Sequence, residues 1–393
     1  MIPNISLPID FEASGVNCGV RKYRPDLAIM RSLRPAKAVG VFTRNTLKAA
    51  PVKYCMSLLP SENIQAIVVN SGQANVATGE AGIKDCADIV NEAAKALGLE
   101  SKQVLASSTG VVGDRVATHV VIPALPFAVR SCSPLINNFA LAIMTTDLIP
   151  KFYTKEIKIA GKAVRITGAS KGSGMIHPNM GTMLAFVATD ADIEINYFQS
   201  LLREVTDKTF NMISVDGETS TNDMVLALAN GASNAVVSSD SDKKVFAEAF
   251  VEVMRELAIA IAKDGEGASK LITVDVVGAP TAELARDVAR SVTTSPLVKS
   301  AVHGEDPNWG RILVRIGMVG TPAELIQKMT LRMQDVLLFD RGSPVEAARA
   351  KVAPLLKQEV ITISIDFRSG SESATAWGCD LSTRYVEINT AYS

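Results

Sequence analysis

The chain is poor in histidine, with His119, His177 and His303 its only three in 393 residues. Zinc sites draw on imidazole and thiolate ligands, so no structural or catalytic metal site is expected. Cysteine is nearly as scarce. Cys18, Cys55, Cys86, Cys132 and Cys379 lie far apart without a C-x-x-C pair. That excludes a disulfide scaffold and suits core thiols in a reducing cytosol. No charge of one sign dominates: 40 Lys+Arg against 41 Asp+Glu leave a net charge of −1. A near-neutral chain has no global field for a polyanion, so nucleic-acid binding is not expected. No run of eighteen apolar residues occurs. The longest candidate, around Val120 to Val129, is too short for a bilayer and holds two prolines. Met1-Ile2-Pro3-Asn4-Ile5 lacks the basic start and apolar run of a secretory signal. The expected location is cytoplasmic, with no membrane partner.

Hydrophobic residues make up 47% of the chain and charged residues 21%, ample for a buried core. At roughly 150 residues per domain, the length allows two or three folded units, or one large one. Short Val- and Ile-rich runs bounded by Gly, Asn, Asp or Ser predict strands at Gln65–Asn70, Gln103–Ser107, Leu184–Thr189, Met224–Ala229, Leu271–Val277, Ile312–Ile316 and Glu359–Asp366. Apolar residues recurring on one face predict helices over Asp85–Leu99, Asp242–Lys263 and Thr281–Val292. Asp240 and Ser241 read as caps of the second helix and Gly265 as its stop. The mixture indicates an α/β or α+β fold, with helices covering sheets.

Six polar, Gly-rich stretches follow or separate these elements: Asn70–Gly82, Ser107–Gly113, Gly168–Gly181, Ser214–Asp223, Asp264–Lys270 and His303–Arg311. Gly and Asn serve tight turns, but six such loops in one chain suggest a shared site. The richest runs from Ala169 to Thr182, directly before a strand. A phosphate loop needs Gly-x4-Gly-Lys-Ser/Thr before a helix. Here Lys171 precedes the glycines and a strand follows. A Ser173/His177 triad lacks the G-x-S-x-G elbow, and His177 before Pro178 reads as a turn or supporting residue. The third reading is an N-terminal nucleophile. The hydroxyl of Thr182 attacks the Gly181 carbonyl, and the resulting ester hydrolyses. The new α-amine, with a pKa near ~8, then serves as a base beside the hydroxyl. The dipeptide alone does not choose among these readings.

Gly174-Met175-Ile176-His177-Pro178-Asn179-Met180-Gly181-Thr182-Met183-Leu184 closely resembles the self-cleavage signature of the ornithine acetyltransferase (bifunctional glutamate N-acetyltransferase) family, which usually has Ala where this chain has Gly181. Further motifs occur in family order over nearly the whole chain: Val41–Asn45, Asn70–Asn75 with Thr78-Gly79, Ser108–Gly113, Thr145-Thr146-Asp147, Ser214–Asp223, Asp264–Lys270 and Asp306–Arg311. The resemblance implies an α/β fold of stacked sheets flanked by helices, in α-β-β-α layers. It implies cleavage into fragments 1–181 and 182–393, which stay together as two copies of each. Thr182 is then the cleavage residue and the acyl-accepting nucleophile, with Thr109 and Gly110 as oxyanion donors. Substrate contacts map to Thr145 (favoured over Thr146), Lys171, Thr182, Glu266 and Asn389. The chain ends one position short of a further family Thr or Ser contact: either Ser393 stands in, or the contact is missing.

The implied reaction passes acetyl from N-acetylornithine to glutamate by a ping-pong route through acetyl-Thr182, in arginine biosynthesis, with no metal or bound cofactor. Some family members also take acetyl-CoA as donor, and that second activity stays open. Lys171 suits a substrate carboxylate. Glu266 suits a substrate ammonium or the Thr182 amine, and Asp190 and Asp216 are further candidates to meet that amine. The Ser214–Asp223 loop reads as positioning the site. The Asp306–Arg311 run reads as architectural, with Trp309 packing. Two alternatives remain: an amidohydrolase or aminopeptidase of the same fold, and an uncleaved metabolite-binding protein.

Overall fold

The computed structural model describes residues 3–177 and 183–391. In chain order its strands are β1 (Phe11–Val16), β2 (Leu27–Phe42), β3 (Ser61–Gln73), β4 (Val104–Val111), β5 (Lys151–Ile159), β6 (Lys162–Lys171), β7 (Leu184–Thr189), β8 (Asp192–Ile193) and β9 (Ile213–Ser214). There follow β10 (Met224–Ala229), β11 (Val236–Val237), β12 (Leu271–Ala279), β13 (Thr330–Met333), β14 (Val336–Asp340), β15 (Ser343–Pro344), β16 (Val360–Asp366) and β17 (Glu372–Cys379). The chain divides into two compact units, and each carries one large mixed sheet with helices against it. This is the α/β class expected from the sequence.

The first unit takes in the chain up to Gly172, from Met183 to Asp207, and Thr219–Ala258. Its sheet has the order β4-β3-β2-β10-β7-β6-β5, with β1 paired to β2. β7 and β10 run parallel to each other in the middle. They read Leu-Ala-Phe-Val-Ala-Thr and Met-Val-Leu-Ala-Leu-Ala, and every residue is buried. A strand covered on both faces has no solvent side and so shows no polar alternation. On one face Phe186 meets Phe139 edge to face, with centroids 5.3 Å apart, within a cluster that includes Met30, Ile67 and Leu226. The other cluster gathers Ile29 and Val68 with Ile89, Val90 and Ala93 of the helix Gly79–Leu97, and with Val121 and Leu125 of the helix Thr118–Arg130. The helix Gly79–Leu97 starts six residues before the expected Asp85 and stops at Gly98, whose φ of 71° ends it in the left-handed region.

The second unit takes in Ser173–His177, Lys208–Glu218 and the chain from Ile259 onward. Its sheet has the order β15-β14-β13-β16-β12-β17-β9. The helix Ala282–Thr293 packs on β12 and β17 through Ala285, Val288, Ala289 and Val292, and Thr281 Oγ1 caps it by accepting Leu284 N–H at 3.2 Å. Two expectations need correction. Ile312–Ile316 is not a strand but lies in the helix Gly310–Met318. Ile312 and Ile316 are buried four residues apart while Val314 is exposed, a helical spacing that a five-residue apolar run cannot distinguish from a strand. The helix Asp240–Lys263 is capped by Ser239, whose Oγ accepts Asp242 N–H at 3.1 Å, and not by Asp240 or Ser241. Trp309 packs as expected, 6.0 Å from the Phe339 ring.

Cys55, Cys86 and Cys379 are buried and no cysteine is paired. Burial pushes the Cys55 and Cys86 thiols up to about 12, as befits inert core residues. Among the described residues no helix is long and apolar enough to cross a membrane.

Truncating Phe186→Ala removes a fully buried ring from the middle of the first sheet. It is expected to cost about 3–5 kcal/mol, read as a lower urea midpoint with unchanged slope.

Candidate active site

In the first unit the ends of β3, β4 and β6 carry the polar groups. β4 ends at Thr109-Gly110-Val111 beside the end of β3. Gly110 has φ of 132°, and a Cβ there would run into the Gly72 carbonyl. Only glycine allows the two backbones to approach this closely. Ser108 Oγ donates to Asn70 Oδ1 at 2.6 Å, and Asn70 Nδ2 donates to the Gln73 carbonyl at 2.9 Å, so the loop after β3 and the end of β4 are tied together. β6 ends at Lys171, which is 8% exposed, and Lys171 Nζ donates to Thr109 Oγ1 at 3.1 Å. An ammonium has no lone pair, so the Thr109 hydroxyl must accept here. Its own proton is then directed elsewhere, polarised by the charge behind it.

Asp147 is the anionic hub of this cluster. Its side chain and that of Lys151 are both fully buried and pair at 2.6 Å. Its carboxylate also accepts Thr145 N–H at 2.9 Å and Gly172 N–H at 2.8 Å. Burial pushes Asp147 up, but the charges of Lys151 and Lys171 and these hydrogen bonds outweigh burial and hold it at about 2. Arg21 donates to the Met144 and Thr145 carbonyls at 2.5 and 3.0 Å. Thr145 is therefore held from both sides, and through Asp147 it shares an anchor with the end of β6.

In the second unit Glu266 is 8% exposed and accepts from Asn389 Nδ2 at 2.8 Å. Asn389 lies on the helix Thr383–Thr390. Glu266 N–H donates to the Ser173 carbonyl at 2.9 Å. A Cβ on Gly174 would overlap the Glu266 carboxylate, so glycine is required there. Asp216 accepts Met175 N–H and Ile176 N–H at 2.6 and 2.8 Å. The Tyr385 hydroxyl donates to Asp216 at 3.3 Å. Burial first, then the Asp216 and Glu266 charges, push that phenol well above its ordinary value. His177 is held by Ser214 Oγ at 3.2 Å and Arg290 Nη2 at 2.9 Å. Burial, then the Arg290 charge, lower it to about 4.

Of the residues singled out in the sequence, Thr109, Gly110, Lys171 and Thr145 fall together in the first unit, and Glu266 and Asn389 bond directly in the second. Gly181, Thr182 and Ser393 lie outside the described residues. Glu266 is a buried, bonded carboxylate and not a solvated helix end. Asp190 follows β7, and its carboxylate accepts Ile9 N–H at 3.1 Å and Arg165 N–H at 2.9 Å; the amine it was a candidate to meet lies outside the described residues. Asp147, Arg21 and Asn70 bond to or around these residues without having been assigned roles. Asn222 belongs to the loop read as positioning the site. Asp147 stands beside Thr145 in the same motif, and that adjacency was the available signal. Arg21 offered none.

The sequence pattern of the ArgJ family matches residues 12–393. The chain is 42% identical over 395 residues to the arginine biosynthesis bifunctional protein ArgJ of Oceanobacillus iheyensis, covering 99% of this chain and 96% of that protein. It is 43% identical over 395 residues to the protein of the same name from Thermotoga neapolitana, covering 98% and 99%. The crystal structure of arginine biosynthesis bifunctional protein ArgJ from Bacillus halodurans matches with a TM-score of 0.50 and 37% identity, over 53% of this chain and 98% of that one.

Replacing Asp147 by Ala leaves the buried Lys151 ammonium without its anion, at an expected cost of about 3–5 kcal/mol near pH 7. A depressed carboxyl contributes its full stability above its unfolded value of about 3.9 and loses it as pH falls toward 2. Urea midpoints of wild type and Asp147→Ala should therefore differ most at neutral pH and converge between about pH 5 and 2. A gap that stays constant across that window would contradict the ionised Asp147.

Proposed function

The chain belongs to the ArgJ family and is an acetyltransferase of arginine biosynthesis, and we propose that it moves the acetyl group of N-acetylornithine to glutamate through an acetyl-Thr182 intermediate. The observation that carries the reading is the Lys171–Thr109 hydrogen bond of 3.1 Å beside Gly110. It leaves the Thr109 hydroxyl proton at a strand end beside Gly110, and that proton with the Gly110 N–H is the proposed donor pair for a tetrahedral oxyanion. The Thr182 amine takes the hydroxyl proton, and the oxygen attacks the acetyl carbonyl. The carbon–nitrogen bond breaks, the amine returns its proton to the departing ornithine nitrogen, and acetyl-Thr182 remains. The glutamate amine attacks that ester, and Thr182 is regenerated as N-acetylglutamate leaves.

Thr145 and Lys171 in the first unit, Glu266 and Asn389 in the second, and Ser393 are the proposed substrate contacts. No metal or bound cofactor enters these steps, and acetyl-CoA is an alternative donor to be assayed. The nucleophile arises by self-cleavage between Gly181 and Thr182. One observation supports that cut, and another the association of its fragments. The solved Bacillus halodurans chain, matched over 98% of its length, spans 53% of this one, and the piece from 182 to 393 is 212 of 393 residues. In the first sheet, β10 and β7 lie between β2 and β6, so strands from after the cut are hydrogen-bonded on both sides to strands from before it. The fragments are therefore proposed to stay together, as two copies of each, in the cytoplasm.

Intact mass of the purified protein tests the nucleophile. Two fragments are expected, ending at 181 and starting at 182, separable only in denaturant, with Thr182→Ala remaining whole. A wild-type chain that stays whole would sink the reading. An acetyl-transfer assay then separates transferase from hydrolase, because free acetate without N-acetylglutamate marks the latter. Thr109→Ala is expected to lower kcat about 10²–10³-fold, measured on cleaved protein.

A further inference from the structure

The Ser214–Asp223 loop ends in two buried residues that take no part in the acetyl transfer itself. Asn222 Nδ2 donates to the Ser108 carbonyl at 2.8 Å and to the Ala74 carbonyl at 2.5 Å. Its Oδ1 accepts from Thr221 Oγ1 at 2.7 Å. The amide is thus fully engaged, and one of its bonds falls on the peptide that leads directly into Thr109. Asp223 performs the matching task on β7. Its carboxyl accepts Met183 N–H, while the next residue, Met224, donates its N–H to the Met183 carbonyl at 3.2 Å. Both backbone groups of the residue after Thr182 are therefore taken by residues 223 and 224. The loop itself has a rigid backing. Thr43 N–H donates to the Asp223 carbonyl at 3.0 Å, Thr43 Oγ1 to the Ser220 carbonyl at 2.8 Å, and Ala49 N–H to the Thr221 carbonyl at 3.1 Å.

We propose that Asn222 and Asp223 are positioning residues that hold the oxyanion donors on β4 and the nucleophile at the head of β7 in one fixed register. The proposal rests on Thr182 being the nucleophile. Two adjacent residues cannot move independently, so a shift of the Ser108–Thr109 peptide against Met183 would have to break one of their bonds. Reacting groups displaced by about 1 Å lose on the order of 100-fold in rate.

The chemical form of Asp223 is set by its surroundings. The side chain is buried, and its Oδ2 has no hydrogen-bond partner among the described residues. Burial raises this carboxyl well above the usual range, against the smaller opposing effects of the Lys171 charge, Met183 N–H and Ser220. Burial thus favours its neutral form, which is the form proposed to act here. An ionised carboxylate on the Met183 N–H would favour a protonated amine on the preceding residue, and an ammonium cannot take a proton from a hydroxyl.

The test uses the full chain and begins with wild-type cleavage and Thr182 acetylation, read by mass. If those fail, the nucleophile reading falls; if they succeed, the variants bear on the positioning pair alone. Asn222→Ala is expected to lower kcat about 100-fold with KM changed less than about threefold. Added to Thr109→Ala, it should cost less than about threefold more, because it acts through that residue. Multiplicative losses in the double variant, or a loss carried by KM, would overturn the proposal. Thr221→Val removes only the hydroxyl that fixes the Asn222 amide, and it gives the same cycle at about tenfold if Asn222→Ala does not fold. Asp223→Asn, a neutral isostere, should recover at least about tenfold of the kcat that Asp223→Ala loses. Asn no better than Ala would show that an ionised carboxylate is needed and overturn the neutral-acid role.

Discussion

The charge of Lys171, buried at the end of β6, is the constraint to which the surrounding polar groups answer. An ammonium removed from water must be met by oxygen lone pairs and by negative charge. Thr109 supplies a lone pair at 3.1 Å, and Asp147 supplies charge from within a buried cluster. Asp147 cannot be buried alone, so Lys151 pairs with it, and the remaining lone pairs go to the backbone of Thr145 and Gly172. One buried cation thereby fixes a hydroxyl on β4, a loop after the helix Asn137–Ala142 and the end of β6. The polar groups are organised by electrostatic need, and the proposed oxyanion role of Thr109 would use the hydroxyl proton that Lys171 does not engage.

The strand order gives the same groups mechanical support. β7 and β10 are inserted between β2 and β6, so the segments on either side of residue 182 close one sheet. A cut at that point removes one covalent link but no ladder of hydrogen bonds. The compact units follow packing, with pieces of each drawn from both sides of residue 182. The proposed fragments follow backbone chemistry. The two divisions of the chain need not coincide, because a self-cleaving bond makes a new terminus and not a new domain.

The sequence announced the site more fully than the sheets. Strands β7 and β10 were readable to the residue, since short Val-, Leu- and Ala-rich runs between polar loops leave little alternative. β2, sixteen residues long with Arg, Lys and Pro in its middle, carried no such pattern. The Ile312–Ile316 run was misread because its length fits a strand and its burial spacing becomes visible only in the fold. Thr109, Gly110 and Lys171 could be named from motif resemblance, but their meeting depends on β4 and β6 coming from distant parts of the chain. Arg21 was invisible for the same reason: its guanidinium reaches residues 123 and 124 positions away, and nothing local marks such a partner.

The scarcity of histidine acquires a mechanistic meaning once His177 is placed. It is the histidine nearest in sequence to the proposed nucleophile and the natural candidate for a general base. Both its ring nitrogens are engaged, by Ser214 and by Arg290, and burial beside that guanidinium lowers it to about 4. At neutral pH such a ring is uncharged and carries a structural load, so it has little capacity to accept a proton from a neighbouring hydroxyl. Burial also raises the Asp223 carboxyl well above its ordinary range. The proposed base is the α-amine that cleavage would create at Thr182, and a nucleophile that carries its own base needs only to be held in place.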